Sequence, residues 1–109
     1  MIHIVEYQTD ADHSPFGEWF AGLDAGAAAI ITVALARLAD GNTSRVAPIG
    51  EGAAEIRIDR GPGYRVYFGW DGTTLVILLG GGSKRRQQKD IQAALARWRD
   101  YKARKTRKT

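Results

Sequence analysis

The stretch AEIRIDRGPGYRVYFGWDGTTLVILLGGGS, residues 54–83, decides the fold. In its first part charged residues alternate with apolar ones, which is the period of a half-buried strand. Turn signals at residues 60–63 and 71–72 then separate a second alternating run from the unbroken apolar run 75–79. We therefore expect three consecutive strands, of which the last is central and buried on both faces, and we expect glycines 80–82 to close it.

Further elements precede this stretch. Residues 2–7 read as a short strand. Ser14 is a predicted N-cap with Pro15 at the first helical position, and Asp24 is predicted to cap a second helix that ends at Gly41. These two helices should form a helical hairpin.

The remaining segments complete the predicted topology. Residues 43–52 show no hydrophobic period and contain Pro and Gly, so we expect a connecting loop. Ser83 is predicted to cap a last helix, followed by a basic tail over residues 102–109. The order βααβββα then describes an α+β domain over residues 1–101, in which a small, mostly antiparallel four-stranded sheet is packed by the helical hairpin and the C-terminal helix. The expected buried stripe of that last helix is Ile91, Ala94, Leu95, Trp98 and Tyr101.

The amino-acid composition limits which kinds of functional site the protein can contain. A chain of 109 residues with 44% hydrophobic residues suits one domain with two packed layers. The absence of cysteine excludes disulfides, thiolate zinc sites and a cysteine nucleophile, and fits a reducing cytosol. His3 and His13 lie far from any carboxylate cluster, so no metal or other cofactor is expected. No targeting signal and no apolar run near the ~20 residues of a membrane span are present, so we expect a cytoplasmic protein without a membrane partner.

The charge is divided along the chain. Residues 1–83 hold 5 basic and 10 acidic side chains, a net charge of −5, whereas residues 84–109 hold 11 basic and 2 acidic ones, a net charge of +9. A basic C-terminal element of this kind favours polyanions as partners. The alternative is a solvated tail with no such partner.

Two arginines are predicted to converge on the sheet. Arg57 and Arg65 belong to strands joined by a short turn and leave the sheet on the face opposite the strands' apolar residues. Like charges so placed weaken a sheet unless an anion or a carboxylate lies between them. The alternative is a surface ion pair, either Arg57 with Asp59 or Arg65 with Glu55. Those two carboxylates are interpreted as solvated charges rather than as an acid and base pair.

A second group of cations stands at the start of the last helix. Lys84, Arg85 and Arg86 occupy its predicted first turn, where free N–H groups and the helix dipole already favour an anion. Glycines 80–82 would let a phosphate approach the backbone, although the spacing of a nucleotide-binding P-loop is missing. The alternative is a solvated helix start. Tyr67 shares the face of Arg65 and is predicted to stack on a base or to donate to a phosphate.

These residues carry a family resemblance. The segments EIRID (55–59), GPGYRVYF (61–68), LLGGGSK (78–84) and QQKDI (87–91) resemble the addiction-module killer proteins of the RelE/ParE toxin superfamily, on its HigB-like side. The resemblance covers nearly the whole chain. It implies a small antiparallel sheet packed by helices, encoded beside a helix-turn-helix antitoxin that neutralises it. An acidic or apolar antitoxin segment covering the basic face is the expected contact.

The resemblance also implies an activity, a ribosome-dependent mRNA endoribonuclease, or mRNA interferase, that inhibits translation. In such chemistry a 2′-hydroxyl attacks the adjacent phosphate, cations stabilise the charge on the phosphorane, and one side chain handles each proton. Arg65 matches the family's strand arginine and is expected to stabilise the phosphate. The other expected catalytic residues are Arg57, Lys84 and Arg85, and the expected RNA-binding residues are Tyr67, Arg86, Gln88, Lys89 and Asp90. The alternative role for Asp90 is only to orient Lys84 or Arg57.

Two departures leave alternatives open. Residues 87–91 lack the tyrosine of the RelE branch, and the C-terminal histidine of the HigB type is absent, so no general acid or base is assigned. The ParE branch, which the resemblance also covers, implies a DNA gyrase inhibitor without a nuclease site. A basic RNA-binding module is a third interpretation.

Overall fold

The alternating stretch of residues 54–79 forms the middle of a five-stranded sheet in a computed structural model, which describes residues 1–107. Three helices and one 3-10 turn are the other elements within these residues. The elements in order are β1 (His3–Glu6), α1 (Pro15–Ala21), α2 (Ala25–Ala39), β2 (Val46–Gly50), β3 (Ala53–Ile58), β4 (Tyr64–Asp71), β5 (Leu75–Ser83), the 3-10 turn (Lys84–Arg86) and α3 (Gln87–Arg107).

The sheet has the strand order β1-β5-β4-β3-β2. β1 runs parallel to β5, and the other three pairings are antiparallel. The α+β class and the three consecutive strands β3, β4 and β5 are therefore confirmed. As predicted, β5 is buried on both faces over residues 76–79 and has a neighbouring strand on each side there.

The expected number of strands was wrong, because residues 43–52 are not only a loop. They contain β2, an edge strand paired with β3. Pro48 lacks the N–H that a central strand needs, but an edge strand tolerates it. A register shift lies between Pro48 and Gly50, and a turn through Glu51 and Gly52 then returns the chain into β3. Gly50, Glu51 and Gly52 all have positive φ. The order is thus βααββββα.

The two caps predicted for the helical hairpin are confirmed. The Ser14 hydroxyl accepts a hydrogen bond from the Gly17 N–H at 2.9 Å, with Pro15 at the start of α1. The Asp24 carboxylate accepts one from the Ala27 N–H at 2.8 Å at the start of α2. Each cap satisfies a backbone donor that a helix start leaves without an intrahelical partner.

Two cores lie on the two faces of the sheet. The helical hairpin covers one face, where Ile31 and Leu38 of α2 pack against Val66 and Phe68 of β4. α3 covers the other face, where Trp98 lies against Gly69 so closely that a Cβ there would overlap its ring. The predicted stripe of α3 is confirmed: Ala94 and Trp98 are buried, and Ile91, Leu95 and Tyr101 pack against the same core.

The helix α3 continues beyond the expected end of the domain. Residues 102–107, interpreted as part of a basic tail, belong to α3, and residues 108–109 of that tail lie outside the described part of the chain. The last turns are anchored by Tyr7, whose hydroxyl donates to Asp100 at 2.6 Å, and by Lys105, which contacts Asp71 at 2.5 Å. None of the helices within residues 1–107 is long and apolar enough to cross a membrane.

Candidate active site

The predicted pair of arginines lies at the corner where the α3 face of the sheet meets the 3-10 turn. Arg57 and Arg65 stand opposite each other in the register of β3 and β4, so both side chains leave the sheet on the same face. Their environments differ. Arg57 is half exposed, whereas Arg65 is only 4% exposed. We call this surface, formed by Arg57, Arg65 and Lys84, the arginine corner.

A buried carboxylate neutralises part of this charge. Glu55 is 1% exposed, so the expectation of a solvated charge was wrong. It accepts hydrogen bonds from Arg57 Nε at 2.6 Å and from Gln87 Nε2 at 2.9 Å to each oxygen. These donors explain its burial, because a carboxylate is removed from water only when it is paired. Asp59, by contrast, is exposed as expected.

Arg65 is held by the backbone beside it rather than by a strong ion pair. Its Nη1 donates to the Tyr64 carbonyl at 3.0 Å and lies 3.9 Å from Asp59 Oδ1. The predicted ion-pair partners were therefore exchanged: Arg57 pairs with Glu55, and Arg65 with Asp59. Because the pair with Asp59 is long and that carboxylate is exposed, this ion pair is weak.

Lys84 meets Arg65 at Gly63. The Lys84 N–H donates to the Gly63 carbonyl at 2.6 Å. A Cβ at Gly63 would lie 3.1 Å from Lys84 Cβ and 3.8 Å from Arg65 Nη1, so the base of the lysine side chain and the guanidinium of Arg65 both lie beside this glycine. Gly63 also has a φ of +76°, a conformation that other residues rarely adopt. The Gly61-Pro62-Gly63 turn thus brings the lysine to the strand arginine.

The start of the last helix differs from its prediction. Lys84, Arg85 and Arg86 form a 3-10 turn before α3, and the Ser83 side chain makes no capping hydrogen bond. The first turn of α3 instead contains Asp90, the charge that a helix start favours. The expected phosphate site on α3's own first turn is therefore wrong in its geometry. The other predicted cations and polar residues of this region are exposed, namely Arg85, Arg86, Gln88 and Lys89.

The glycine run does not close β5 but forms its last part. A Cβ at Gly81 would overlap the Trp19 ring, and a Cβ at Gly82 would overlap the Asp90 carboxylate. At Gly80 it would lie 2.7 Å from Arg97 Nη1. The glycines therefore make room for side chains of this chain on both faces, which explains them without a bound phosphate.

Tyr67 and Asp90 lie beneath the arginine corner. Tyr67 is 1% exposed, which leaves neither ring face open to a stacking base. Burial, and then the charges of Asp90 and Glu55, raise the pKa of Tyr67, against a smaller opposite effect of Arg65. Burial also raises the pKa of Asp90, and the nearby cations Arg86 and Arg97 oppose that rise. The Asp90 carboxylate is 3.8 Å from Arg86 Nε, so its ion-pair partner is neither Lys84 nor Arg57.

Buried polar atoms without a hydrogen-bond partner lie at this corner. Within residues 1–107, three buried side-chain atoms have no hydrogen-bond partner: Arg65 Nε, Tyr67 Oη and Asp90 Oδ2. The charges of Arg65 and Asp90 both act on Tyr67, so the three groups are neighbours. Buried polar groups in a folded protein are nearly always partnered, and their exceptions call for an explanation such as a functional site or a bound water.

The remaining cations of the C-terminal third are used in two ways. Several of those further along α3 are bound to the body of the protein: Arg97 donates to the Leu79 carbonyl, and Arg99 pairs with Glu51. Near the 3-10 turn, by contrast, three cations are not bound to the body of the protein. Within the described residues their side chains make neither an ion pair nor a hydrogen bond. These three are Lys84, Arg85 and Lys89.

Sequence reasoning missed Gln87 and the burial of Glu55. Gln87 stands in the QQKDI segment, but nothing in the sequence shows that its amide reaches across to β3. A partial signal for Glu55 did exist, because the alternation of β3 places it on the same face of the sheet as Arg57. Within residues 1–107, no group of three or more His, Asp or Glu residues that could hold a metal ion is found.

A small α+β domain with cations gathered at one corner of its sheet is the class that the fold and the site define. Residues 18–99 match the family described as phage-derived protein Gp49-like (DUF891), and the chain belongs to this family. It is also 42% identical over 80 residues to an uncharacterized protein of Haemophilus influenzae, a match that covers 72% of this chain and 81% of the relative. Membership of the Gp49-like family is compatible with a toxin of a toxin–antitoxin system.

Proposed function

We propose that the protein is a RelE/ParE-type, HigB-like toxin of a type II toxin–antitoxin system, and that it acts as a metal-independent, ribosome-dependent mRNA endoribonuclease. A helix-turn-helix antitoxin is its proposed partner, and the ribosome with bound mRNA its proposed target. The observation that carries the proposal is the meeting of Arg65 and Lys84 at Gly63, with Arg57 opposite Arg65.

The charge balance at this corner supports binding of a phosphodiester. Glu55 neutralises Arg57 in part, but Arg65 has only a long contact of 3.9 Å with the exposed Asp59, and Lys84 forms no ion pair within residues 1–107. Arg65 is buried and held by the Tyr64 carbonyl, so its guanidinium is already oriented before a ligand arrives. Oriented cations in a site of low water content stabilise developing negative charge more than mobile surface cations do.

The proposed reaction is an internal displacement. The ribose O2′ forms a bond to the adjacent phosphorus while the bond from that phosphorus to the 5′ oxygen of the next nucleotide breaks. The 2′-hydroxyl proton goes to a base and the 5′ oxygen takes up a proton, which leaves a 2′,3′-cyclic phosphate and a 5′-hydroxyl. Arg65 and Lys84 stabilise the non-bridging oxygens of the phosphorane, and Arg57 assists from the exposed side.

The test adds the purified protein to a translation reaction and maps the new mRNA ends. We expect cleavage at ribosome-positioned codons. Lys84→Ala and Arg65→Ala should each lower the cleavage rate by about 10²-fold, the usual loss for one oriented donor. Arg99→Ala is the matched control, because it removes an exposed cation of α3 that pairs with Glu51 away from the corner. Circular dichroism checks that each variant is folded.

The outcomes separate this proposal from its alternatives. Absence of cleavage on ribosomes contradicts the endoribonuclease, and inhibition in a parallel gyrase supercoiling assay would then favour the ParE-like function. Cleavage that is unchanged in a folded Lys84→Ala protein and in Arg65→Ala contradicts the residue assignment alone. RNA binding without either activity would favour the basic binding module.

A further inference from the structure

A groove lies on the sheet face opposite the arginine corner. It runs between α2 and the edge formed by β2 and β3, where the helical hairpin does not cover the sheet completely, and encloses about 370 Å³. Its floor is apolar and is continuous with the core of the hairpin face. The apolar side chains that line it include Ile30, Ala34, Leu38, Val46, Ile56 and Ile58.

The lip of this groove exposes apolar surface on α2. Val33 is 49% exposed and is one of three large hydrophobic residues so exposed within residues 1–107, with Met1 and Val5. Ala29 lies one turn before Val33 and also lines the groove. The apolar face of α2 is therefore wider than the part that packs on the sheet. Apolar surface in a groove, rather than scattered singly, is typical of an interaction site.

The rim of the groove is positively charged. Arg37, Arg45 and Arg60 line it with one carboxylate, Asp59. Arg45 contacts Asp59 at 3.5 Å, whereas Arg37 and Arg60 form no ion pair with the described part of the chain. Arg57 also borders the groove, but its Nε donates to Glu55. Residues 1–83 hold five basic side chains in all, and four of them line this groove, which is a local concentration of positive charge in an acidic segment.

We propose that this groove binds an amphipathic segment of the antitoxin, with apolar side chains on one face and carboxylates beside them. This inference rests on the proposed function for the existence of that partner. The apolar floor and the exposed Val33 match apolar side chains, and the arginine rim matches flanking carboxylates. A nucleic acid would meet no aromatic side chain among the residues that line the groove. The groove is thus a second contact, which meets the arginine corner at Arg57.

The experiment measures the affinity of this protein for the helix-turn-helix protein encoded beside it, by isothermal titration calorimetry at two salt concentrations. Val33→Glu should weaken binding at least tenfold, because it places a charge against apolar groups. Arg37→Glu and Arg60→Glu should each weaken it several-fold and reduce its dependence on salt. Val33, Arg37 and Arg60 are exposed, so these variants are expected to fold.

Two matched controls lie outside the groove. Val5→Glu changes a valine that is 47% exposed on β1, at the opposite edge of the sheet, and Arg107→Glu reverses an exposed charge at the end of α3. Both should bind within about twofold of the unchanged protein, since surface changes away from an interface have small effects.

The outcomes distinguish this inference from the proposed function. A complex that forms but is weakened no more by the groove variants than by the controls overturns the groove as the docking site and leaves the toxin proposal standing. If no complex forms, the partner and the groove are both rejected, while cleavage on ribosomes still tests the endoribonuclease separately. Self-association abolished by Val33→Glu, or RNA binding lost in Arg37→Glu, also overturns the inference.

Discussion

The two faces of the sheet are built on different principles. The hairpin face is apolar throughout, and Val66 and Phe68 there are completely buried. The α3 face is apolar only around Trp98, and at its other end it buries Glu55, Arg65 and Tyr67. Successive residues of one strand therefore differ sharply, since Phe68 belongs to the first face and Tyr67 to the second.

The comparison separates stability from chemistry. Every buried side-chain atom without a hydrogen-bond partner in residues 1–107 belongs to the α3 face. Burying such a group costs about 1–3 kcal/mol, so a sequence selected only for stability would avoid it. The hairpin face therefore stabilises the fold through apolar burial alone, while the α3 face tolerates unfavourable groups where the candidate site lies.

The largest expected effect is on the hairpin face. Phe68→Ala should lower the free energy of unfolding by about 3–5 kcal/mol, because it leaves a cavity in a fully buried core. Urea unfolding followed by circular dichroism measures the loss. Val5→Ala, at an exposed valine, is the control and should change stability by less than about 0.5 kcal/mol. A loss below 1 kcal/mol for Phe68→Ala would contradict the role given to this face.

A smaller loss is expected where the α3 face buries its carboxylate. Glu55→Ala should cost about 1–3 kcal/mol, because Gln87 loses its acceptor and Arg57 its partner. The double variant with Gln87→Ala should lose less than the sum of the single losses, since both act on one network. Glu51→Ala is the control: this glutamate pairs with Arg99 at the surface, and its loss should cost less than that of Glu55. Additive losses at Glu55 and Gln87 would contradict the network.

These two faces also explain what the sequence could and could not predict. The caps at Ser14 and Asp24 act through neighbouring residues, and the stripe of α3 follows from helical spacing, so local patterns were sufficient for them. β2 was missed because its pairing depends on β3 and its Pro48 is acceptable only at an edge. The glycines 80–82 were misinterpreted for the same reason, since Trp19 and Asp90 reach them from distant parts of the chain.

The sequence was sufficient to predict which arginines share a face at the candidate site, but not how they are buried or what they contact. The alternation of β3 and β4 places Arg57 and Arg65 on one face, and the structure confirms that placement. Alternation alone does not show that α3 covers this face, so the burial of Arg65 and Tyr67 and the contact of Gln87 with Glu55 remained hidden.

The pKa of Asp90 is raised in the folded protein, whereas the pKa values of Asp71 and Asp100 are lowered. The pH dependence of stability should therefore differ between these aspartates. Burial raises the pKa of Asp90 in the folded protein, so its charged form is unfavourable at neutral pH and the penalty disappears as the pH falls to about 3.9, the unfolded value. Asp90→Asn should therefore raise the midpoint temperature of unfolding at pH 7, and the gain should vanish below pH 4.

Asp71 is the matched control for this titration. Hydrogen bonds from Lys105 and Tyr101 hold its pKa below the usual range. Its contribution to stability is therefore present above the unfolded pKa and is lost as the pH falls through the folded one. Asp71→Asn should destabilise at pH 7, opposite in sign to Asp90→Asn. Thermal unfolding between pH 3 and 7 measures both, and equal signs would contradict the assignment of burial as the dominant effect on Asp90.

The smallest expected effect compares two tyrosine hydroxyls on the α3 face. The Tyr67 hydroxyl has no partner, so Tyr67→Phe should leave the free energy of unfolding unchanged or raise it by up to about 1 kcal/mol. The Tyr101 hydroxyl donates to Asp71 at 2.5 Å, and burial together with this bond raises the pKa of Tyr101 to about 12. Tyr101→Phe should therefore cost about 0.5–1.5 kcal/mol. Urea unfolding at pH 7 measures both changes. A loss at Tyr67 as large as that at Tyr101 would mean that its hydroxyl is satisfied, by a bound water for example, and the α3 face would then carry less unfavourable burial than we infer.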